Sequence, residues 1–441
     1  MTKNDPACEY GPVLTDTQAR MEASRCLMCE DPPCVAACPA GVPVKHFIRA
    51  IRFDSPRRAI NLIRDRNVLA GVCGLACPVD SLCVGACTST ELSTPIAIGK
   101  LQHYAAVQEL RSGRQTSVEP ANGQKVAIIG AGPSGLAAAA ELARLGHRPV
   151  VFEKSRSAGG ICAYGVHSRR VPRALVSGEI DYIKSLGVDI QTESPFSDGQ
   201  SLDDLFADGF KAAYVSTGLQ EPATPRIPGE NLKGVTTWKA MLERFAAWEL
   251  GEGKKPVVPR EVIIVGGGSV AMDAASAVKS LGAKEIDMVC LEAPVEMPAY
   301  HAELDEAWEE GVRFHTRSMP LKITGKDGKV TGLKAVRIRW KKPKQFIPSN
   351  AVKLKGTEYW LPASMVIFAI GARASQVLKK SLRGVRLDKA GKIAVKKETG
   401  ATSRPGVFAG GDVVAGGGTM IVKAVAEGKR AGQAIDEYLR K

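Results

Sequence analysis

Eight cysteines near the N-terminus fall into two runs, Cys26-x2-Cys29-x4-Cys34-x3-Cys38-Pro39 and Cys73-x3-Cys77-Pro78-x4-Cys83-x3-Cys87. Thiolates grouped in this way bind soft metals. Proline following a cysteine at the end of such a run is an iron–sulfur pattern, and the last cysteine of a run often ligates the other cluster. Two runs of four imply two cubane clusters. Zinc is the competitor, because CxxC also suits tetrahedral zinc, but zinc sites pair CxxC with a second CxxC or with HxxxH, and neither second half is present.

The other residues able to do chemistry form glycine turns. Val126 to Glu153 reads VAIIGAGPSGLAAAAELARLGHRPVVFE, in which an apolar run meets Gly130, Gly132 and Gly135, an alanine-rich stretch reaches Gly146, and a second apolar run ends in Glu153. That is the order of a βαβ unit. The glycines permit a tight turn, close approach of the backbone to a pyrophosphate, and a helix packed tightly on its strand. The helix N-terminus adds free amides and a positive dipole end. Glu153 stands where it would accept hydrogen bonds from an adenosine ribose. From Glu261 the pattern recurs, with Gly266, Gly268 and Ala271 at the three small positions and Glu292 closing the second strand. Two dinucleotide folds imply two dinucleotides. The natural pair is a flavin and a nicotinamide, since a flavin takes a hydride from NAD(P)H and releases single electrons to iron–sulfur clusters.

These residues need elements to position them. Between the cysteine runs, Val44 to Arg66 has helical periodicity (Phe47, Ile48, Ile51, then Ile60, Leu62, Ile63) broken near Ser55-Pro56, so the N-terminal domain is mostly helical. PIAIGKLQHYAAVQELR closes that domain as a helix, and polar Ser112 to Gln124 reads as a linker. Gly159 to Gly165 forms a second turn able to lie along a cofactor. Cys162 within it lacks a CxxC partner, which argues against a redox disulfide, and Cys8 is a lone thiol. Arg170 precedes Pro172 and a helix from about Ala174 to Leu186, and reads equally as surface charge or cofactor contact. Ala212 to Gly218 (AAYVSTG) is a buried strand with a small-residue turn, and Met365 to Gly371 (MVIFAIG) mirrors it. Lys334 to Lys355 is a basic hairpin of solvated charge able to steer an acidic partner. The chain ends in a strand, Gly410-Gly411-Asp412, and a helix starting near Thr419 whose N-terminus would stabilise negative charge on a reduced flavin.

With 441 residues the chain is too long for one core and suggests roughly three units. No apolar run approaches the ~18 residues of a membrane span and the N-terminus has no signal core, so a cytoplasmic protein is expected. Eleven cysteines without an export signal point to metal or redox chemistry rather than disulfides. The net charge of +14 invites nucleic acid, yet aromatic residues are few and no zinc-finger, RRM or KH pattern accompanies the basic ones, so nucleic acid is not an expected partner.

The cysteine runs, GAGPSG, GGGSVAMD and AGGD in this order resemble the glutamate synthase small-subunit family, whose module also forms the N-terminal part of dihydropyrimidine dehydrogenase. The likeness runs from about Arg25 to the C-terminus. It implies an α/β protein with two Rossmann-like domains preceded by a helical one: residues 1–118 carrying two [4Fe–4S] clusters, 119–235 with 369–441 binding FAD, and 236–368 binding NAD(P)H. By resemblance, Cys26, Cys29, Cys34 and Cys87 hold the first cluster. Cys38, Cys77 and Cys83 hold the second with Gln102 as fourth ligand, leaving Cys73 a bystander against the spacing-only reading. FAD contacts fall on Gly130, Ala131, Gly132, Pro133, Ser134, Gly135, Glu153, Lys154, Gly160, Ile161, Arg170, Gly411, Asp412 and Thr419. Nicotinamide-cofactor contacts fall on Gly266, Gly267, Gly268, Ser269, Val270, Glu292, Ala369, Ile370 and Gly371.

The implied role is an electron-input subunit of a hetero-oligomer, passing electrons from NADH through FAD and the clusters to a protein subunit or ferredoxin-like acceptor. The hydride step requires no side-chain acid or base, so no catalytic residue is named. The alternatives are a self-sufficient NAD(P)H:acceptor reductase, an electron-bifurcating transhydrogenase subunit, and a non-enzymatic zinc-bound scaffold. NADPH-using relatives place two basic residues at the end of the second strand of the nicotinamide domain. Here Leu291 and Glu292 occupy those positions, which predicts NADH, unless Lys284 or Arg317 serves a 2′-phosphate.

Overall fold

A computed structural model describes residues 9–113, 123–196, 200–375, 380–417 and 420–441; Cys8, Thr419 and most of the expected linker lie outside them. The chain divides into two compact units, one of residues 1–163, 168–220 and 374–441, the other of 164–167 and 221–373.

The first unit opens with α1 (Asp16–Ser24), α2 (Pro33–Ala36), α3 (Val44–Arg52), α4 (Pro56–Arg64), α5 (Ala70–Ala76) and α6 (Ile98–Ser112). Local sequence sets their ends. The Thr15 hydroxyl caps α1 by accepting the Gln18 N–H at 3.2 Å. Pro56 occupies the first turn of α4, where no partner for its missing N–H is needed. α5 stops at Cys77, because Pro78 disfavours helical geometry in the residue before it. Phe47, Ile48 and Ile51 of α3 share one core with Ile60 and Ile63 of α4 and Leu101 of α6, and Cys26, Cys34, Cys38, Cys83 and Cys87 pack against its edge.

A parallel sheet of order β15-β4-β1-β2-β3 completes this unit: β1 (Lys125–Ile129), β2 (Arg148–Phe152), β3 (Asp189–Gln191), β4 (Ala212–Val215) and β15 (Val407–Ala409). Val126 to Ile129 and all of β4 are buried, as strands covered on both faces must be. The longer helices that follow the first strand are α7 (Pro133–Arg144), α8 (Arg173–Ser185), α9 (Leu202–Ala207) and α13 (Ile421–Leu439). Small residues bring α13 onto α7: a Cβ on Gly428 would overlap Ser134 O, and one on Gly432 would lie 3.1 Å from Ala138 O. The strands proceed from β1 to β2 and β3 on one side, then to β4 and β15 on the other. The carboxyl ends of β1 and β4 therefore flank a crevice at the switch point.

The second unit repeats the plan with order β6-β13-β7-β8-β9: β6 (Val235–Thr237), β7 (Glu261–Val265), β8 (Glu285–Val289), β9 (Arg313–His315) and β13 (Met365–Phe368). α10 (Trp238–Glu249), α11 (Ser269–Ser280) and α12 (His301–Glu309) accompany this sheet, and β5 (Glu221–Pro222) pairs with β14 (Ala372–Arg373). The expected basic hairpin is two strands of a three-stranded antiparallel sheet, β10 (Ser318–Lys326), β11 (Lys329–Trp340) and β12 (Ala351–Pro362). Lys334, Arg337, Arg339, Lys353 and Lys355 are exposed on it. No described helix is long and apolar enough to cross a membrane.

Candidate functional site

Cys26, Cys29, Cys34 and Cys87 line one recess, whose apolar walls include Pro33, Val44, Ile48, Ile96 and Ile98. Cys87 thus leaves its own run to join three cysteines of the first. Lys45, at the base of α3, holds the loop by donating to Cys29 O at 2.8 Å. The remaining cysteines gather around the end of α5. Cys77 is hydrogen-bonded to Cys73, which together with burial and the charges of Cys38 and Cys83 raises its pKa well above the usual thiol value. Burial pushes Cys34 up to about 11 and Cys83 up to about 12, with neighbouring thiols adding to both. Metal ligation would deprotonate thiols grouped in this way and offset the repulsion among their thiolates. Among the described residues no three His, Cys, Asp or Glu side chains converge tightly enough to hold a single ion. Gln102, buried on α6, donates from Nε2 to Ala70 O at 2.7 Å, which ties it to the first turn of α5.

In the first unit's glycine turn, two of the glycines are required by the protein's own backbone and one leaves room for a ligand. Gly130 has φ 102°, and a Cβ there would lie 2.8 Å from Ser216 O. A Cβ on Gly135 would overlap Gly130 O. A Cβ on Gly132 would meet nothing nearer than Ser216 O at 4.0 Å, so this position is open to a pyrophosphate. Gly160 comes close behind, since a Cβ there would stand 2.8 Å from Gly132 Cα. Ser216 ties β4 to the turn by donating to Gly130 O at 3.0 Å or Ile129 O at 3.1 Å.

Glu153 is buried and accepts the Ala131 N–H and the Ser155 N–H, each at 2.9 Å. A carboxylate has further lone pairs for ribose hydroxyls. Pro133 and Ser134 begin α7, and the Ser134 hydroxyl bonds the Tyr214 hydroxyl at 2.7 Å. A Cβ on Gly411 would come 3.1 Å from Ser134 Cβ, so the Gly411-Asp412 turn lies at the start of α7. Gly411 donates to Glu427 Oε2 at 2.8 Å. Burial pushes the Asp412 carboxyl up to about 6, with Glu427 adding while Lys392 and Lys423 oppose. Lys154 is exposed and donates to Gln220 at 2.5 Å, Ile161 is 39% exposed, and Arg170 is half-buried just before α8. Among the described residues the buried Thr217 hydroxyl, following β4, has no hydrogen-bond partner. An orphan of that kind fits a site completed by a ligand. Ser216 and Thr217 were absent from the sequence-derived set; the signal for them was the small polar turn after the AAYV strand.

The second turn is built alike. Gly266 has φ 141°, and a Cβ there would overlap Ala369 O. Gly268 caps α11, which starts with Ser269 and Val270, and a Cβ on Gly268 would meet only Pro298 at 3.7 Å. Ala369 donates to Val265 O at 2.8 Å, which sets Ala369, Ile370 and Gly371 at the end of β13 beside β7. Glu292 turns toward the glycines, its Oε2 lying 3.3 Å from where a Gly267 Cβ would stand. Burial raises its pKa, Glu296 adds, and Arg317 opposes. Arg317 is held by Glu296 at 2.5 Å and lies 5.5 Å over the Trp340 ring. Lys284 precedes β8, at the end of the sheet away from the glycine turn.

Two dinucleotide turns and a cysteine-lined recess are features that known families can be compared with. The model of the pyridine nucleotide-disulphide oxidoreductases matches residues 124–428, and that of dihydropyrimidine dehydrogenase domain II, with its 4Fe-4S cluster, matches residues 3–114. The chain belongs to the pyridine nucleotide-disulphide oxidoreductase family. It is 34% identical over 433 residues to the NAD-dependent dihydropyrimidine dehydrogenase subunit PreT of Escherichia coli K12, covering 98% of this chain and 97% of the relative. It is 30% identical over 442 residues to the glutamate synthase [NADPH] small chain of the same organism, covering 98% and 93%. It is also 34% identical over 438 residues to the NADP(+)-dependent formate dehydrogenase subunit beta of Moorella thermoacetica, but there 92% of the chain spans only 60% of the relative. Thioredoxin reductase of T. acidophilum shares the fold, with TM-score 0.57 and 21% identity, covering 73% of this chain and all of that one. The resemblance to the glutamate synthase small subunit and dihydropyrimidine dehydrogenase therefore holds. The protein is an oxidoreductase of Rossmann-like α/β fold that binds FAD and NAD(P) and carries a 4Fe–4S domain at its N-terminus.

Proposed function

We propose that the chain is the electron-input subunit of a larger cytoplasmic oxidoreductase. Bound here, FAD would accept a hydride from NADH, and two [4Fe–4S] clusters, held by Cys26, Cys29, Cys34 and Cys87 and by Cys38, Cys77, Cys83 and Gln102, would carry the electrons singly to a partner subunit or ferredoxin-like protein. Within this reading the protein binds and orients rather than donating or removing protons. Gly132 and the start of α7 receive the FAD pyrophosphate, Glu153 its ribose, and Gly268 with Ala369 to Gly371 the nicotinamide cofactor. The observation that carries the reading is the meeting of Cys26, Cys29, Cys34 and Cys87, drawn from both runs, at one recess in the same compact unit as the first dinucleotide turn. The three relatives named above add support, since each is a subunit or small chain.

Iron, zinc and flavin analysis after anaerobic purification tests the proposal. About eight irons per FAD are expected, four for each cubane. Zinc in place of iron would overturn it. A chain isolated without a partner yet fully active on a physiological acceptor would replace the subunit role with that of a self-sufficient reductase.

A further inference from the structure

Arg64, the last residue of α4, is 1% exposed and makes a buried ion cluster with two carboxylates. Its guanidinium reaches Glu109 of α6 at 2.8 and 3.0 Å and Glu179 of α8 at 3.0 Å, also donates to Val68 O, and lies 4.3 Å over the Tyr182 ring of α8. Glu179 does more than pair with it. Wholly buried, it accepts the Gly71 N–H on Oε1 at 2.7 Å and the Val72 N–H on Oε2 at 3.2 Å, and so binds the first turn of α5. The fit is close, because a Cβ on Gly71 would come within 2.7 Å of Leu175 in α8.

Burying three charges to join two layers is costly, and well-packed apolar side chains would hold the layers at least as firmly. What the arrangement adds is register. α5 ends at Cys77, and α6 carries Gln102, which is itself bonded to Ala70 of α5. Glu179 holds α5 directly and α6 through Arg64 and Glu109. Its own helix, α8, begins three residues after Arg170, in the FAD-binding part of the unit. We propose that Glu179 is a positioning residue that fixes the ligand-bearing helices of the second cluster to α8, in the FAD-binding part of the unit, and so sets that cluster's environment. The inference rests on the reading above, in which Cys38, Cys77, Cys83 and Gln102 hold a cluster.

The variant Glu179→Gln keeps the volume, but its carboxamide has one accepting atom, so it loses one bond to α5 and the charge facing Arg64. The test is electron paramagnetic resonance and redox titration of the reduced, iron-loaded protein, with flavin and iron counted alongside. FAD content, flavin reduction by NADH and the signal of the cluster in the Cys26 recess should match wild type. The signal or midpoint potential of the other cluster should shift, or that cluster should be lost together with about half the iron. Glu109→Gln, which leaves both α5 bonds in place and weakens only the link to α6, should change the same cluster signal by less than Glu179→Gln does. If Glu179→Gln does not fold, Glu179→Asp takes its place, since it keeps the charge but shortens the reach to α5, and the same selective change is expected. Unchanged spectra and potentials for both clusters, with only a lower melting temperature, would overturn the proposal. Wild-type protein without iron would instead remove the reading on which it stands.

Discussion

Gln102 Nε2 donates to Ala70 O at 2.7 Å, which fixes the amide and leaves Oε1 as the atom available to a metal. Cys73, in α5 and four residues before Cys77, is buried. An amide oxygen is a weaker ligand than thiolate and leaves a cluster less negative, which alters its potential. Gln102→Ala should change or abolish the spectrum of one cluster, whereas Cys73→Ser should leave both intact. Electron paramagnetic resonance of the two reduced variants checks this, and the reverse pattern would return the four-plus-four ligand set that spacing alone suggests.

Asp412 gives a pH dependence of unusual sign. Burial raises its carboxyl from 3.8 to about 6, so in the folded chain the charged form is the disfavoured one. Such a group costs nothing below its unfolded value, where both states are protonated. The stability is lost as pH rises through the folded value. Asp412→Asn should therefore stabilise the flavin-free protein by about 1–3 kcal/mol at pH 7 and by little at pH 4. Urea unfolding at the two pH values measures the difference, and a variant less stable than wild type at pH 7 would contradict the argument.

The two glycine turns predict different tolerance at their third position. Ala271 is accommodated in the second, but a Cβ on Gly135 would overlap Gly130 O and stand 2.6 Å from Ser216 Oγ. Gly135→Ala should cost about 1–3 kcal/mol through backbone displacement and reduce the FAD retained on purification. Thermal melts with and without added FAD decide it, and a variant with wild-type stability and flavin content would show that the turn can yield.

Much of this fold was legible because the signals were local. Glycine turn requirements, the apolar runs of β1 and β7 and the Ser55-Pro56 break between α3 and α4 each depend on neighbours in sequence. What could not be read was placement across long separations. Spacing grouped the cysteines run by run, and nothing local says that Cys87 joins Cys26 at one recess; that association entered through the family resemblance. Glu179 gave no signal at all. It looks like any charged residue on an amphipathic helix, and only the packing of α5 against α8 shows the two amides that it satisfies. Ser216 and Thr217 were passed over for a related reason, since short polar residues after a strand ordinarily signify a turn.

Glu292 should select NADH. Its carboxylate lies against the glycine turn, beside the place where a bound nucleotide's adenosine ribose would sit. There it can accept from a free 2′-hydroxyl but repels a 2′-phosphate. Two like unit charges at ~4 Å cost about 1 kcal/mol in bulk water and up to ~4 kcal/mol near a protein surface, so even the lower figure gives several-fold discrimination. Of the two bases that might have served a phosphate, Lys284 stands at the far end of β8, and Arg317 is already paired with Glu296 at 2.5 Å. Burial raises the Glu292 pKa, so repulsion should weaken as pH falls and the carboxyl takes up a proton. Preference for NADH is thus expected to be greatest at neutral and higher pH and to narrow in acid. Glu292→Arg should shift the ratio of kcat/KM values toward NADPH at least several-fold and remove that narrowing. Steady-state reduction of an artificial acceptor with each nucleotide, across pH, measures both effects. Wild-type protein that uses NADPH as readily as NADH, or a variant with an unchanged ratio, would show that Glu292 is not the selector.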